Sequence, residues 1–371
     1  MCAPWRAEHR WGRRTEMAIG ASVATSARVD VAELLTAMLS VPSPSGAEDA
    51  MASLLVSRLL RAGFDVEVDA VGNVVAGWGD GPETIALVGH IDTVPGRVDV
   101  RRDGDLLHGR GAVDAKGPLA AAITAVSRQP RDGARRFVII GAVEEETSSR
   151  GARHLAESMP APSSLVILEP SGWDAVTVGY KGSLRLRATV DQPQAHGAGR
   201  EPSAPDRCFD LVRGLQDRAT ATNGDAGVFD RVDVRVLGFD SSSDGLTDRA
   251  SVDVGVRTPP GCNVEALIET ARSSSPTANL AVLGSEPGVR TDRGTPLARN
   301  FIRAIRTQHG APRFKVKTGT SDLNILVPAW GCQAVAYGPG DSRLDHTPGE
   351  HVSITELEGA VAVLELALGS R

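Results

Sequence analysis

A basic surplus, long apolar runs, closely spaced cysteines and aromatic residues are all scarce in this chain, and each scarcity closes off a class of protein. Lysine and arginine total 40 against 46 aspartates and glutamates, a formal net charge of −6 over 371 residues. A nucleic-acid binder would show a basic excess and a basic stripe, so that class is set aside. No apolar run approaches the roughly 18 residues that span a bilayer, so no transmembrane helix is expected. Cys2, Cys208, Cys262 and Cys332 stand far apart, with no CxxC pair and no disulfide-framework spacing. They read as reduced, structural thiols of a cytoplasmic protein. Aromatics make up only 4% of the chain, while alanine, glycine, valine and arginine are abundant, which suits a soluble α/β protein.

The length allows about two domains. Residues 1–28 are basic but lack the apolar core of a secretory signal. They read as a disordered extension, or as an over-called start with Met17 the initiator. From residue 29 onward, apolar positions recur at helical spacing through Leu34, Leu35, Met38 and Leu39. A second helix follows with Met51, Leu54, Leu55, Leu59 and Leu60 on its buried face and Gly63 as its cap. Residues 136–143 and 165–168 are apolar runs of the kind that form strands buried on both faces. Strands alternate with helices, and each strand end delivers an acid or a histidine. That predicts a mostly parallel sheet. Residues 183–190, 230–237 and 250–257 instead alternate apolar and polar, as half-exposed antiparallel strands do. The fold class expected is therefore α/β, a mixed, mostly parallel catalytic sheet with a smaller inserted α+β lid. The boundaries are 29–180 and 290–371 for the catalytic domain and 181–289 for the insert, with 284–294 as its exit linker. The strand at 183–190 is expected at a sheet edge, free to pair with its copy across a two-fold axis.

The stretch from Leu87 to Pro118 organises the rest. A strand ends at Gly89 and releases His90, Ile91 and Asp92 into a loop. A second short strand leads to a glycine-bracketed Asp114-Ala115-Lys116-Gly117. Alone, His90 reads as a solvated loop histidine, the commoner case for a lone residue. The H-x-D pair followed by Asp114 points to a metal. Glu144, Glu145 and Glu146 close a buried strand, where three adjacent acids repel unless a cation or a proton relieves them. The competing reading is a solvated acidic turn before a helix. With Glu169 and His346, these residues make a His/carboxylate set at strand ends. Zinc or cobalt suits such ligands, and five ligands with one shared fit two ions roughly 4 Å apart.

At these residues the chain resembles the co-catalytic zinc amidohydrolase superfamily of aminoacylase, carboxypeptidase G, acetylornithine deacetylase and succinyl-diaminopimelate desuccinylase. The signature stands here as Gly89-His90-Ile91-Asp92, Asp114-Ala115-Lys116-Gly117, Glu144-Glu145-Glu146 with Gly151, then Glu169 and His346. Glu144 replaces the usual Asp. The resemblance implies that Asp114 bridges two metals, with His90 and Glu169 on one and Glu146 and His346 on the other. It implies that Asp92 orients His90, and that Glu145 is the general base for a metal-activated water. His196 falls where the family has a lid histidine that serves the partner subunit's site, which implies a homodimer, although Gly197 replaces the usual Ser. Arg257 stands where the family often has an arginine for the substrate carboxylate; a solvated edge-strand charge is the alternative. Gly319-Thr320-Ser321-Asp322 resembles the turn that lines the family's pocket.

Residues in GHIDTVPG, GRGAVDAKGP, EPSGWDAVTVGYKG and YGPGDSRLDHTP carry a narrower likeness. They resemble the branch that frees lysine or ornithine from an amino-group carrier protein, as the last step of α-aminoadipate-route lysine synthesis or of the parallel arginine route. In that chemistry the amino acid's α-amino group is amide-linked to the side-chain carboxyl of the carrier's C-terminal glutamate. Such carriers are acidic, so an enzyme of net charge −6 needs a local basic patch to dock one. Arg97, Arg101, Arg102, Arg110, Lys116 and Lys181 are the candidates. The alternative function is a free N-acyl amino acid deacylase acting on acetylornithine or acetyllysine. A non-catalytic metal binder is the third, and the retained Glu145 argues against it.

Overall fold

The computed structural model describes residues 29–131 and 133–369; the N-terminal extension discussed above lies outside them. The chain opens with α1 (Val31–Leu39), α2 (Asp49–Ala62), β1 (Asp65–Val68), β2 (Val74–Trp78) and β3 (Glu83–His90). Next come β4 (Arg101–Asp103), β5 (Leu106–His108), α3 (Lys116–Ser127), β6 (Arg135–Ala142), α4 (Arg150–Ser158), β7 (Ser164–Ile167) and β8 (Ala175–Tyr180). A second unit holds β9 (Gly182–Pro193), α5 (Ala204–Asn223), β10 (Asp233–Ser243), β11 (Thr247–Thr258), α6 (Val264–Ser274) and β12 (Asn279–Glu286). The chain then returns through β13 (Val289–Arg290), α7 (Pro296–Thr307), β14 (Arg313–Lys317), α8 (Leu323–Trp330), β15 (Gln333–Ala336), β16 (His351–Ser353) and α9 (Ile354–Gly369).

The large sheet has the order β1-β2-β6-β3-β7-β15-β8-β13, with β14 also pairing β8. Its middle strands β6, β3, β7 and β15 run parallel, while β1, β2 and β13 join antiparallel. Alternate side chains of one strand enter opposite cores, as the pleat requires. Ile85 and Leu87 of β3 pack with α1, α2, α3, α7 and α9. Ala86 and Val88 pack with α4 and α8. Both faces are covered, which is why these strands read as continuous apolar runs.

The smaller sheet, β10-β11-β9-β12, is antiparallel throughout. Leu184, Leu186, Ala188 and Val190 face α5 and α6, and the intervening residues face out. This is the mixed α/β fold with a large, mostly parallel sheet and a separate antiparallel one.

Several details correct the sequence reading. Residues 183–190 belong to β9, which is internal to its sheet, so the free edges are β10 and β12. Leu60 is 55% exposed, because it lies about 100° round the helix from Leu59 on the buried face. The expected exit linker holds the end of β12 and the short β13. Neither β8 nor α8 was anticipated. Helix α8 has only eight residues and carries Pro328 inside it, so its sequence gives no sustained helical period. Gly63 caps α2 as expected, with φ 93°.

Candidate metal centre

The parallel strands deliver their chemistry at one end. His90 is the last residue of β3, Glu144–Glu146 follow β6, Glu169 follows β7, and His346 lies in the long loop after β15. This is the crevice outside the carboxyl ends of the strands, the usual ligand position of an α/β sheet. Asp114 reaches it from the turn before α3, its carboxylate lying between two imidazoles. Oδ1 is 3.2 Å from His90 Nε2, and Oδ2 is 2.9 Å from His346 Nε2. His346 Nε2 is also 3.1 Å from Glu146 Oε1. Glu169 Oε1 lies 3.9 Å from His90 Nε2.

A second set of buried acids holds this arrangement. His90 Nδ1 faces the Asp92 backbone carbonyl at 2.9 Å and its carboxylate at 3.3 Å, which leaves Nε2 for the site. The same Asp92 carboxylate accepts the backbone N–H groups of Glu145 and Glu146 and the Ser45 hydroxyl. Glu144 sits at φ 57°, a left-handed turn that costs a non-glycine residue about 1–3 kcal/mol. Its own N–H is taken by Glu48. Glu350, fully buried, accepts from the backbone of Gly111, Val113 and Asp114 and pairs with Arg110 at 2.6 Å. Lys116 donates to the carbonyls of Met38 and Val41 and so ties the Asp114 turn to the end of α1. Two motif glycines are steric requirements. A Cβ at Gly117 would lie 2.2 Å from the Ala112 carbonyl oxygen, and one at Gly151 would lie 2.6 Å from Val143 N.

The charges are far from their ordinary states. Burial, the largest influence on His90, pulls its pKa down, but hydrogen bonds to Asp114 and Asp92 win and hold it well above the usual value. Burial likewise pushes Asp114 up, yet hydrogen bonds from His346 and His90 hold it well below the carboxylate range. Asp114 and Glu146 raise His346 to about 10. Burial, then the Asp114 charge, lifts Glu169 to about 8. Burial also holds Glu145 well above its usual value, with Asp322, Glu169 and Glu146 adding to it. Protons thus relieve this crowd of acids in the protein alone, the role a cation would take over.

A cation fits. Among the described residues, His90, Asp114 and Glu146 offer ligand atoms all within 4.8 Å of one another. The buried Glu146 Oε1 faces the His346 imidazole at 3.1 Å, and an imidazole/carboxylate donor set suits a hydrolytic divalent ion.

The site opens into a cavity of about 920 Å³ lined by both units. Glu145, Lys317, Gly319 and Thr320 come from the large unit, and Ser183, Arg185, Arg257 and Glu286 from the smaller one. Arg257 Nη1 donates to Thr320 Oγ1 at 3.3 Å, so Arg257 is no freely solvated edge charge. His196 is exposed, on a loop of the smaller unit, and does not line the cavity of its own chain. Half of the expected basic patch is lost, while Arg97, Arg101 and Arg102 stay exposed. Lys116 and Lys181 are buried, Lys181 pairs with Asp233, and Arg110 is committed to Glu350. Their long stems pass inward because buried carbonyls and acids there await a donor. Sequence reasoning missed Glu48, Glu350, Lys317 and Asp345. Only Asp345, next to His346, carried a local signal.

Comparison with known proteins agrees with this geometry. The sequence profile described as Peptidase family M20/M25/M40 matches residues 86–370. A LysW-lysine hydrolase of Deinococcus radiodurans is 47% identical over 91% of this chain and 95% of its own length. A putative LysW-lysine/LysW-ornithine hydrolase of Thermococcus kodakarensis is 38% identical over 90% of this chain and 89% of its own. Among solved structures, an M20 family metallo-carboxypeptidase from Sulfolobus solfataricus matches with a TM-score of 0.72 at 19% identity, covering 92% of this chain and 99% of that one.

Proposed function

The chain belongs to peptidase family M20/M25/M40, and from that premise we propose that it is a dimetal amidohydrolase acting on an acidic amino-group carrier protein. It frees lysine, ornithine or both from the side-chain carboxyl of the carrier's C-terminal glutamate. The observation that carries the chemistry is the Asp114 carboxylate shared between His90 and His346 beside the half-buried Glu145 that lines the cavity. The kinship with LysW-lysine hydrolases supports the substrate.

In this reading residues 29–180 and 290–371 form the catalytic domain and 181–289 the lid. His90 and Glu169 would hold one zinc or cobalt ion, Glu146 and His346 the other, and Asp114 would be shared by both. Bound metal supplies Lewis-acid polarisation of the amide and an acidified water. Asp92 fixes the His90 tautomer. Glu145 takes a proton from the attacking water on its carboxylate and gives one to the departing α-amino nitrogen, so the same group serves as base and then acid. Arg257 and Thr320 hold the released amino acid's carboxylate, and Gly319 keeps the adjoining turn free of side chain.

His196 acts in the partner's site, stabilising the oxyanion, and the enzyme is a homodimer. The free edge strand β10, with exposed Val236, Leu237 and Phe239, supports that assembly. Mixing His196→Ala with Glu145→Gln protein restores roughly a quarter of wild-type activity after random subunit exchange. If exchange occurs and activity stays at the parental level, His196 serves no partner. A cytoplasmic location accords with the three unpaired thiols Cys208, Cys262 and Cys332. No helix among the described residues is long and apolar enough to cross a membrane.

The deciding experiment measures kcat/KM on carrier-linked lysine, carrier-linked ornithine and N-acetyl-ornithine with zinc or cobalt added. Turnover of the carrier-linked substrates is expected. Preference for N-acetyl-ornithine moves the enzyme to the free deacylases.

A further inference from the structure

The outward face of the smaller sheet holds more guanidinium than its acids can match. Strand alternation puts Ser183, Arg185 and Arg187 of β9 on the face away from α5 and α6. The register sets Arg257 opposite Ser183 on one side and Asp233 on the other. One step along, Gly255 stands between Arg185 and Arg235. The nearby acids are already spoken for, since Asp233 pairs with Lys181, Asp253 with Arg187 and Glu286 with Arg153. Among the described residues, Arg185, Arg235 and Arg257 are left with no carboxylate partner. They are close enough for Arg235 and Arg185 to lower the pKa of Arg257, after burial. Three like charges share one face within about two strand spacings, roughly 10 Å, an arrangement that a bound anion relieves.

The cavity's own acids do not supply that anion. Asp114 and Glu146 face His346, and Asp114 and Glu169 face His90. Arg257 has Thr320 beside it. Among the described residues, Arg185 and Arg235 have no hydrogen-bond or ion-pair partner; Arg185 lines the cavity, with Asp253 close enough to feel its charge. They stand one pleat repeat further along the strands, about 7 Å from the Arg257 row.

Resting on the amidohydrolase reading above, we infer that Arg185 and Arg235 form an anion subsite for the acyl side of the substrate, namely the free α-carboxylate of the terminal glutamate. An amide made through a glutamate side chain necessarily leaves that α-carboxylate free. The substrate therefore carries two carboxylates, one on each side of the scissile bond. Arg257 with Thr320 takes the one on the amino acid, and the outer pair takes the one on the carrier. A planar guanidinium grips a carboxylate with two parallel N–H···O bonds, so the subsite selects for γ-linked glutamate over a plain acyl group.

Two small substrates isolate the contact: Nα-(N-acetyl-γ-glutamyl)-lysine with its glutamate α-carboxylate free, and the same compound with that group as a primary amide. The wild-type enzyme is expected to favour the acid by about 10- to 100-fold in kcat/KM, mostly through KM. The Arg185→Gln/Arg235→Gln double variant should bring this ratio close to one, mainly by losing kcat/KM on the acid, and its thermal unfolding certifies its fold. Arg185→Lys with Arg235 retained should recover part of the preference. If wild type cleaves carrier-linked lysine and its acid-to-amide ratio equals that of the double variant, the subsite is wrong and the function stands. If wild type cleaves N-acetyl-ornithine but neither γ-glutamyl compound nor the carrier-linked substrate, both fall together.

Discussion

On the central sheet, ionisable groups at the strand ends are desolvated and tied down twice. Asp92 holds the backbone of Glu145 and Glu146 while facing His90, and Glu350 holds the backbone of Asp114 while facing Arg110. On the smaller sheet, charge sits on a solvated face, placed by strand alternation alone, with exposed pairs such as Arg187 and Asp253. Both regions are rich in charge. In the first, position is over-determined and every group matters to its neighbours. In the second, side chains act on one another only as exposed pairs or as like charges along one face. A metal site needs the first kind of order, because ligand atoms must stay within a few tenths of an ångström. Binding of the proposed substrate carboxylate can use the second.

The sharpest break of this contrast lies at Glu145. Glu145→Gln is expected to lower kcat by roughly 10²–10⁴ while metal content, read by atomic emission, stays at the wild-type level. Near-normal turnover would remove Glu145 as the base. Glu350→Ala comes next. It leaves the half-buried Arg110 without its carboxylate and three backbone donors unmet, and loss of one partner of a buried pair costs up to about 3–5 kcal/mol. Urea unfolding of the metal-free protein checks it, and a change below about 1 kcal/mol would show that the Asp114 turn holds itself.

A pH series sharpens the comparison further. His346 is raised to about 10 and Glu169 to about 8 in the folded, metal-free protein. Groups whose folded pKa is raised stabilise below their unfolded values and lose that contribution as pH climbs through the folded ones. The metal-free protein should therefore lose stability from about pH 4.3, the ordinary glutamate value, up through pH 8 and towards 10. Metal binding displaces those protons, so affinity should rise over the same span. Thermal unfolding with and without zinc reads both trends, and a metal-induced shift independent of pH would contradict them. The smallest effect belongs to the smaller sheet. Arg187→Ala removes an exposed pair and should change stability by less than about 1 kcal/mol; a larger loss in urea unfolding would mean that this face is as interlocked as the core.

How far the sequence could be read follows the same division. Residues 136–143 announced a doubly buried strand because the apolar run is contiguous, and Gly63 announced its cap because a left-handed turn favours glycine. The residues His90, Asp92, Asp114, Glu145 and Glu146 could be singled out because each ends a strand or sits between glycines, and such signals are local. Glu350 gave no comparable signal: its bonds reach Asp114 across 236 positions. Lys116 and Lys181 looked like surface charges because a lysine's burial depends on which distant carbonyl or carboxylate awaits it.

What the sequence by itself determined was the strand-and-helix alternation, the two kinds of sheet and the cluster of candidate ligands, all written in periodicity and short motifs. The tertiary structure decided which strand is internal, which lysines are lost to the core, and which arginines of β9, β10 and β11 come to stand side by side. Register and desolvation are properties of pairs of segments, and each segment acquires them only when the other packs against it.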